Sequence, residues 1–237
     1  MNVFPEGDGV FETIKTVDGV PQFLARHLER AIKSSRTLGL PIFSPEEIVE
    51  LIRAEIERTG IFPFGRLRVT FPTDGRVFAI HEPSTPWSVP AKLMIFHDPI
   101  DEDSTLAGHK ALPYKENLDL LAQARSAGFD DGIRLNSAGL ICESAVANVV
   151  MKVDGKWITP TLSSGCLPGI TRAIAIEWFG INERDLPGSA LSAVQSMFLL
   201  SSLKNLQPVE FLDGRKLDMS DELLQVARAQ TVQDLVD

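Results

Sequence analysis

Cysteine and histidine are scarce: the 237-residue chain has two cysteines, Cys142 and Cys166, and four histidines. Neither cysteine sits in a C-x-x-C pair or joins a dense histidine set, which argues against a structural zinc site and a disulfide-built secreted fold. No metal site is expected. Long apolar runs are also missing, and none reaches the roughly 18 to 20 residues that cross a bilayer. No basic segment leads into a signal-peptide core, so a cytoplasmic setting without membrane contact is the expectation. Basic residues are outnumbered, with 23 Lys plus Arg against 32 Asp plus Glu and a formal charge of -9. Such a field disfavours non-specific binding to nucleic acid or anionic lipid, while a local basic pocket can still hold a compact anion. Internal repeats and low-complexity tails are absent.

Hydrophobic residues make up 44% of the chain, enough for one large core or two closely packed lobes. The pattern alternates between periods of two and 3.6, which predicts a mixed α/β or α+β protein. Residues 10–16 read as a strand, closed by the Asp18-Gly19 turn. A helix from about Leu24 puts Leu24, Leu28, Ala31 and Leu38 on its apolar side, with His27, Arg30 and Ser34 stacked along the edge. Ser44, Pro45 and Glu47 form a helix-start signature before Ile48, Leu51, Ile52 and Ile56. Strands are expected at 65–71 and 76–80.

The proline-rich stretch 83–90 breaks periodicity and predicts a linker between a small α/β lobe at 1–82 and a larger one at 91–237. In the larger lobe, 91–96 reads as a buried strand and a helix from about Glu116 ends at Gly128. Further strands are expected at 132–135, 147–153 and 157–159. One helix begins within 169–172, and a last one covers about 219–232.

Several ordered motifs carry chemistry. They are Gly7-Asp8-Gly9-Val10-Phe11-Glu12, His27-Leu28-Glu29-Arg30, Lys110, and Ala127-Gly128-Phe129-Asp130-Asp131. Glu143-Ser144-Ala145-Val146-Ala147-Asn148-Val149, Thr159-Pro160 and Leu167-Pro168-Gly169-Ile170-Thr171-Arg172 follow. Phe198-Leu199-Leu200-Ser201-Ser202-Leu203 and Gln207-Pro208-Val209 complete the set. Each piece is weak alone, but together, in this order, they cover Gly7 to about Leu217. The sequence resembles the fold-type IV family of pyridoxal 5'-phosphate (PLP) enzymes, which includes branched-chain and D-amino-acid aminotransferases and aminodeoxychorismate lyase.

That resemblance implies a two-lobed enzyme with Lys110 as the Schiff-base lysine and proton carrier. It implies Glu143 as the carboxylate beneath the pyridine nitrogen, with Asn148 among the cofactor-binding positions as a support of the local backbone. Arg30, Leu167, Ile170, Thr171 and Ser202 resemble cofactor-binding positions, with Ser201 as an alternative to Ser202. Here Arg30 supplies paired donors and the 169–171 turn aims backbone N–H groups at phosphate. Tyr114, one residue closer to the lysine than in branched-chain aminotransferases, is expected to support the ring. Phe11 and Glu12 match the substrate side. The segment Thr70-Phe71-Pro72-Thr73-Asp74-Gly75-Arg76 departs from the usual Thr-Arg-Gly, so Arg68 and Arg76 are both candidates for the substrate carboxylate.

The implied reaction is amino transfer between an amino acid and a 2-oxo acid, in a homodimer. Aminodeoxychorismate lyase activity, giving 4-aminobenzoate and pyruvate, is the alternative, although Ser201-Ser202-Leu203 lacks the asparagine of the lyase-like segment. A cofactor-binding or interaction protein that has lost turnover is the third reading.

Overall fold

The computed structural model describes residues 8–219. The chain runs through β1 (Gly9–Val17), β2 (Val20–Pro21), α1 (Leu24–Thr37), α2 (Pro45–Thr59), β3 (Phe64–Pro72) and β4 (Phe78–Pro83). It continues through β5 (Ala91–Ile95), β6 (Ala111–Leu112), α3 (Lys115–Ser126), β7 (Asp131–Leu135) and β8 (Ile141–Ser144). Then follow β9 (Asn148–Val153), β10 (Lys156–Thr159), α4 (Ile170–Phe179), β11 (Asn182–Glu183), β12 (Ser196–Ser201), β13 (Asn205–Leu212) and β14 (Arg215–Lys216). Two compact units result. The first comprises the described residues through Pro86 together with His109–Tyr114; the second holds Trp87–Gly108 and the described residues from Lys115 onward.

In the first unit an antiparallel sheet runs β2-β1-β3-β4, and β6 adds to β1. Gly9 opens β1 at φ +150, and a Cβ there would lie 2.3 Å from the Phe71 carbonyl oxygen, so the close approach of β1 and β3 requires glycine. Strand alternation sends Val10 and Ile14 of β1 and Leu67, Val69 and Phe71 of β3 to one face. There they meet Leu28 and Ala31 of α1 and Ile48 and Ile52 of α2. Each large buried apolar side chain contributes roughly 1.5–3 kcal/mol, which fixes the strand register. At the start of α2, Ser44 Oγ accepts from the Glu47 N–H at 3.4 Å and donates to Glu46. The acidic partner of the cap is therefore Glu46, one residue earlier than a reciprocal capping box would use.

The second unit is built on a nine-stranded mixed sheet of order β11-β10-β9-β12-β13-β5-β7-β8, with β14 on β13. The β5 pairings with β13 and β7 are parallel. Along β9, Val149, Met151 and Val153 enter one core with Leu93, Ile133 and Leu199, while Val150 faces Ala175 of α4 and Phe198 of β12. Burial on both faces explains why these strands are continuously apolar rather than alternating. Helix α3 lays Leu120 and Ala124 against Phe96 and Ala145.

Two differences from the sequence expectations matter. Residues 109–114 fall within the expected larger lobe, yet they pair with β1 through Gly9↔Leu112 and Val10↔Ala111 and belong to the first unit. Strand β8, which carries Glu143, was not expected as a strand. The expected helix at about 219–232 lies outside the described residues, apart from Met219.

Candidate functional site

The first unit presents two different faces of β1. Glu12 points toward α1, where it is 1% exposed. It accepts from His27 Nδ1 at 2.7 Å and from Arg30 through Nε at 2.9 Å and Nη2 at 2.6 Å. Spacing of three residues on α1 puts His27 and Arg30 on one side of the helix, above the one carboxylate. Burial opposes charge on Glu12, but the Arg30 guanidinium and the His27 hydrogen bond outweigh it and hold the carboxyl down to about 2. Burial also lowers the pKa of His27, against the pull of Glu12. His27 is thus a neutral donor that fixes a carboxylate, and the carboxylate in turn orients the Arg30 fork.

Phe11 lies on the opposite face, because successive strand side chains alternate. Of Phe11 and Glu12, both matched to the substrate side, only Phe11 is therefore on this face. Arg68 is there too, diagonal to Phe11 through the pairs Phe11↔Thr70 and Thr13↔Arg68. Its guanidinium carbon is 6.0 Å from the Phe11 ring centre. Burial and the neighbouring charge of Arg66 lower its pKa to about 10, so it remains a cation at neutral pH. Arg76 is different. It sits in the exposed turn between β3 and β4, paired with Asp74, and its side chain is 72% exposed.

Lys110 is brought to the Phe11 face by backbone pairing. Its carbonyl accepts from the Phe11 N–H at 2.9 Å, β6 follows at once on β1, and His109 Nδ1 lies 3.0 Å from Ser34 Oγ on α1. The Lys110 Nζ is 4.6 Å from the Phe11 ring centre and 5.0 Å from that of Tyr114. Phe11 and Tyr114 meet edge to face at 5.0 Å. The amine is half-buried among aromatic rings, in a setting that aims it and limits its hydration.

The second unit carries a clamp around Glu143. Its Oε2 accepts from the Leu167 N–H at 3.0 Å and from Asn148 Nδ2 at 2.9 Å. The same Asn148 amide donates to the Leu167 carbonyl at 2.8 Å. Glu143 and Asn148 flank a tight turn, in which Ser144 N–H donates to the Ala147 carbonyl at 2.8 Å. Asp131, fully buried, locks that turn by accepting from Ser144 Oγ at 2.9 Å and the Ala145 N–H at 3.1 Å. Burial raises the pKa of Asp131, while these bonds and the Gly132 N–H oppose the rise. Asp131 belongs to a motif visible in the sequence, but its bonding role was missed because both partners are more than ten residues away.

Leu167 leads directly into α4, whose cap residue Gly169 has no side-chain bond to the helix start. The first N–H groups of an α-helix lack intrahelical acceptors, so those near Ile170 and Thr171 favour an anion. Both residues are 8% exposed. A Cβ on Gly169 would sit 1.9 Å from Asn148 Oδ1, so the helix start and the Glu143 clamp fit only with glycine between them. Ser201 ends β12 and Ser202 opens the following turn, both half-buried. Among the described residues there is no cluster of His, Cys, Asp and Glu that could hold a metal, and no helix long and apolar enough to cross a membrane.

The amino-transferase class IV family matches residues 9–211. The chain belongs to that family. Among its relatives, the branched-chain-amino-acid aminotransferase of Salmonella typhimurium is 26% identical over 238 residues, covering 88% of this chain and 77% of the relative. A Legionella pneumophila structure described as a candidate 4-amino-4-deoxychorismate lyase superposes with TM-score 0.84 at 23% identity, covering 98% and 95% of the two chains. A hypothetical aminotransferase from Mycobacterium tuberculosis in a PLP-bound form gives 0.83 at 24%, covering 94% and 87%. The class IV fold thus accounts for both units of the chain. At these identities the two structures speak to fold alone.

The donor set of this class IV chain fits PLP in kind. A carboxylate held by fixed donors suits a protonated ring nitrogen, an uncapped helix start suits a phosphate, and an aromatic-walled amine suits an aldehyde carbon.

Proposed function

We propose that the chain is a PLP-dependent class IV aminotransferase that moves an amino group between an amino acid and a 2-oxo acid. The observation that carries this reading is the Glu143 clamp at the foot of α4, a carboxylate aimed by Leu167 and Asn148 beside a helix start with no side-chain cap. A surface carboxylate needs no such scaffold. When bound, PLP supplies an electron sink for charge released at the substrate α-carbon.

In this reading, Glu143 would hold a proton on the cofactor's ring nitrogen. Arg30, held flat by Glu12, and the N–H groups of Ile170 and Thr171 bind the phosphate, with Ser202 or Ser201 adding a hydroxyl. Lys110 Nζ makes the covalent attachment and, once released, takes the α-carbon proton as general base, a role typically worth 10²–10⁴-fold in rate. Tyr114 and Phe11 orient the amine. Arg68 is favoured over Arg76 for the substrate carboxylate, because Arg68 shares a face with Phe11 whereas Arg76 is exposed and paired with Asp74. The family resemblance further implies a homodimer in the cytoplasm, and sedimentation of the purified chain tests the assembly.

The reaction is tested by supplying PLP-loaded enzyme with amino-acid and 2-oxo-acid pairs, and separately with aminodeoxychorismate. Paired amino and oxo products are expected. Formation of 4-aminobenzoate and pyruvate in the second panel would assign the lyase reaction instead, and no turnover in either would leave cofactor binding as the function.

A further inference from the structure

Cys142 and Cys166 play no part in the chemistry above, yet each precedes one half of the clamp. Cys142 is next to Glu143 on β8, and Cys166 is next to Leu167, whose N–H holds the Glu143 carboxylate. The two thiols are 0% and 1% exposed. Cys142 Sγ donates to the Ser164 carbonyl at 3.2 Å and lies 3.5 Å from Ser164 Oγ. Ser164 Oγ and Cys166 Sγ both reach the Thr161 carbonyl, at 2.8 and 3.5 Å. Both thiols thus gather on the 161–166 turn around Ser164, and each shifts the ionisation of the other. Strand alternation puts the Cys142 and Glu143 side chains on opposite faces of β8, so the sulfur pair lies behind the carboxylate.

We propose that Cys142 and Cys166 form a reversible intrachain disulfide in the folded protein, and that closing it weakens the hold of Glu143 on PLP. The second part rests on the cofactor role proposed for Glu143. Oxidation needs an acceptor of two electrons, for which hydrogen peroxide serves. The neighbouring Cys142 thiol lowers the Cys166 pKa, whereas the Cys166 thiol and burial raise that of Cys142. Cys166 is therefore the attacking thiolate. Its sulfur bonds to one peroxide oxygen, the O–O bond breaks and hydroxide leaves as water, having taken a proton. The Cys142 sulfur then attacks the sulfenic acid, and the hydroxyl leaves as a second water with the Cys142 proton. Two thiols and one peroxide give one disulfide and two waters, and a dithiol reverses the change by exchange.

A sulfur–sulfur bond of about 2.05 Å replaces the present bonds of the two thiols to the Ser164 and Thr161 carbonyls. It draws β8 toward the 161–166 turn and removes the Cys142 donor from the Ser164 carbonyl. The Glu143 to Leu167 hydrogen bond spans these same two segments, so its geometry shifts with them. Burial makes the reaction pass through local opening of the turn.

The test treats the PLP-free full chain with hydrogen peroxide, counts remaining thiols by alkylation and mass, and titrates PLP by absorbance. The expected result is loss of both thiols through a Cys142–Cys166 linked peptide, about tenfold weaker PLP binding, and recovery of affinity with dithiothreitol. Cys166→Ser and Cys142→Ala are each expected to bind PLP like the reduced parent and to form no linked peptide with peroxide, although Cys166 in Cys142→Ala can still be oxidised to the sulfenic acid. Should either variant misfold, the oxidised and reduced parent still supply the comparison. Thiols left unreacted, or oxidised without a linked peptide, would overturn the disulfide. A linked peptide with unchanged PLP affinity would overturn the coupling. Reduced Glu143→Gln with undiminished PLP affinity would refute the Glu143 role separately, leaving the disulfide measured by mass.

Discussion

At the level of single residues, the site depends on charges whose ionisation the fold has already decided. Glu12 is held at about 2 against an ordinary 4.5. Its stabilising contribution is complete above pH 4.5 and is lost as pH falls through 2. His27 is lowered from 6.5 by burial, so the folded state favours the neutral ring, and that contribution is full above pH 6.5 and fades below it. The melting temperature is therefore expected to fall from about pH 6.5 downward in a calorimetric pH series. Glu12→Gln should be less stable at neutral pH and should flatten the part of the decline between pH 4.5 and 2. An unchanged profile in that variant would mean that Glu12 does not carry the linkage. Gly169→Ala probes the second unit: its methyl would collide with Asn148 Oδ1. A loss of about 1–3 kcal/mol in denaturant unfolding, with weaker PLP binding, is expected.

The individual roles were unevenly legible in sequence. The three-residue step from His27 to Arg30 was readable on the helix, but their common partner lies fifteen residues back on a strand and could not be found by periodicity. Arg68 and Arg76 were equivalent as letters. Strand register separates them, since one falls in a buried ladder position and the other in an exposed turn.

At the level of elements, the first unit was the most readable part. The apolar period of α1 and α2 matches what they bury against β1 and β3. Ser44 caps α2 as the sequence suggested, and Ser44→Ala is expected to cost about 1 kcal/mol in denaturant unfolding. No loss would show that the 3.4 Å cap bond carries no weight. Short elements were harder. Strand β6 has two residues and exists only because it pairs with β1, a contact about a hundred positions away. Strand β8 has four residues, with a buried cysteine and a glutamate in succession, so neither alternation nor an apolar run marks it. Its position comes from β7 and from the turn that Asp131 locks. Phe198 to Leu200 stood out as a motif, but a short apolar run buried on both faces does not distinguish strand from helix.

At the level of the whole molecule, two α/β units and the family were legible because the motifs persist in order across almost the entire chain, as the match over residues 9–211 confirms. The assignment of each segment to a unit was less so. Lys110 lies in sequence between second-unit segments, yet long-range strand pairing gives it to the first. The central claim is that this lysine attaches the cofactor. Borohydride reduction of the PLP-loaded chain, followed by peptide mass analysis, tests it most directly. The pyridoxyl phosphate mass is expected on the peptide containing Lys110 and absent from the Lys110→Ala variant; the label on another lysine, or on none, would contradict the account.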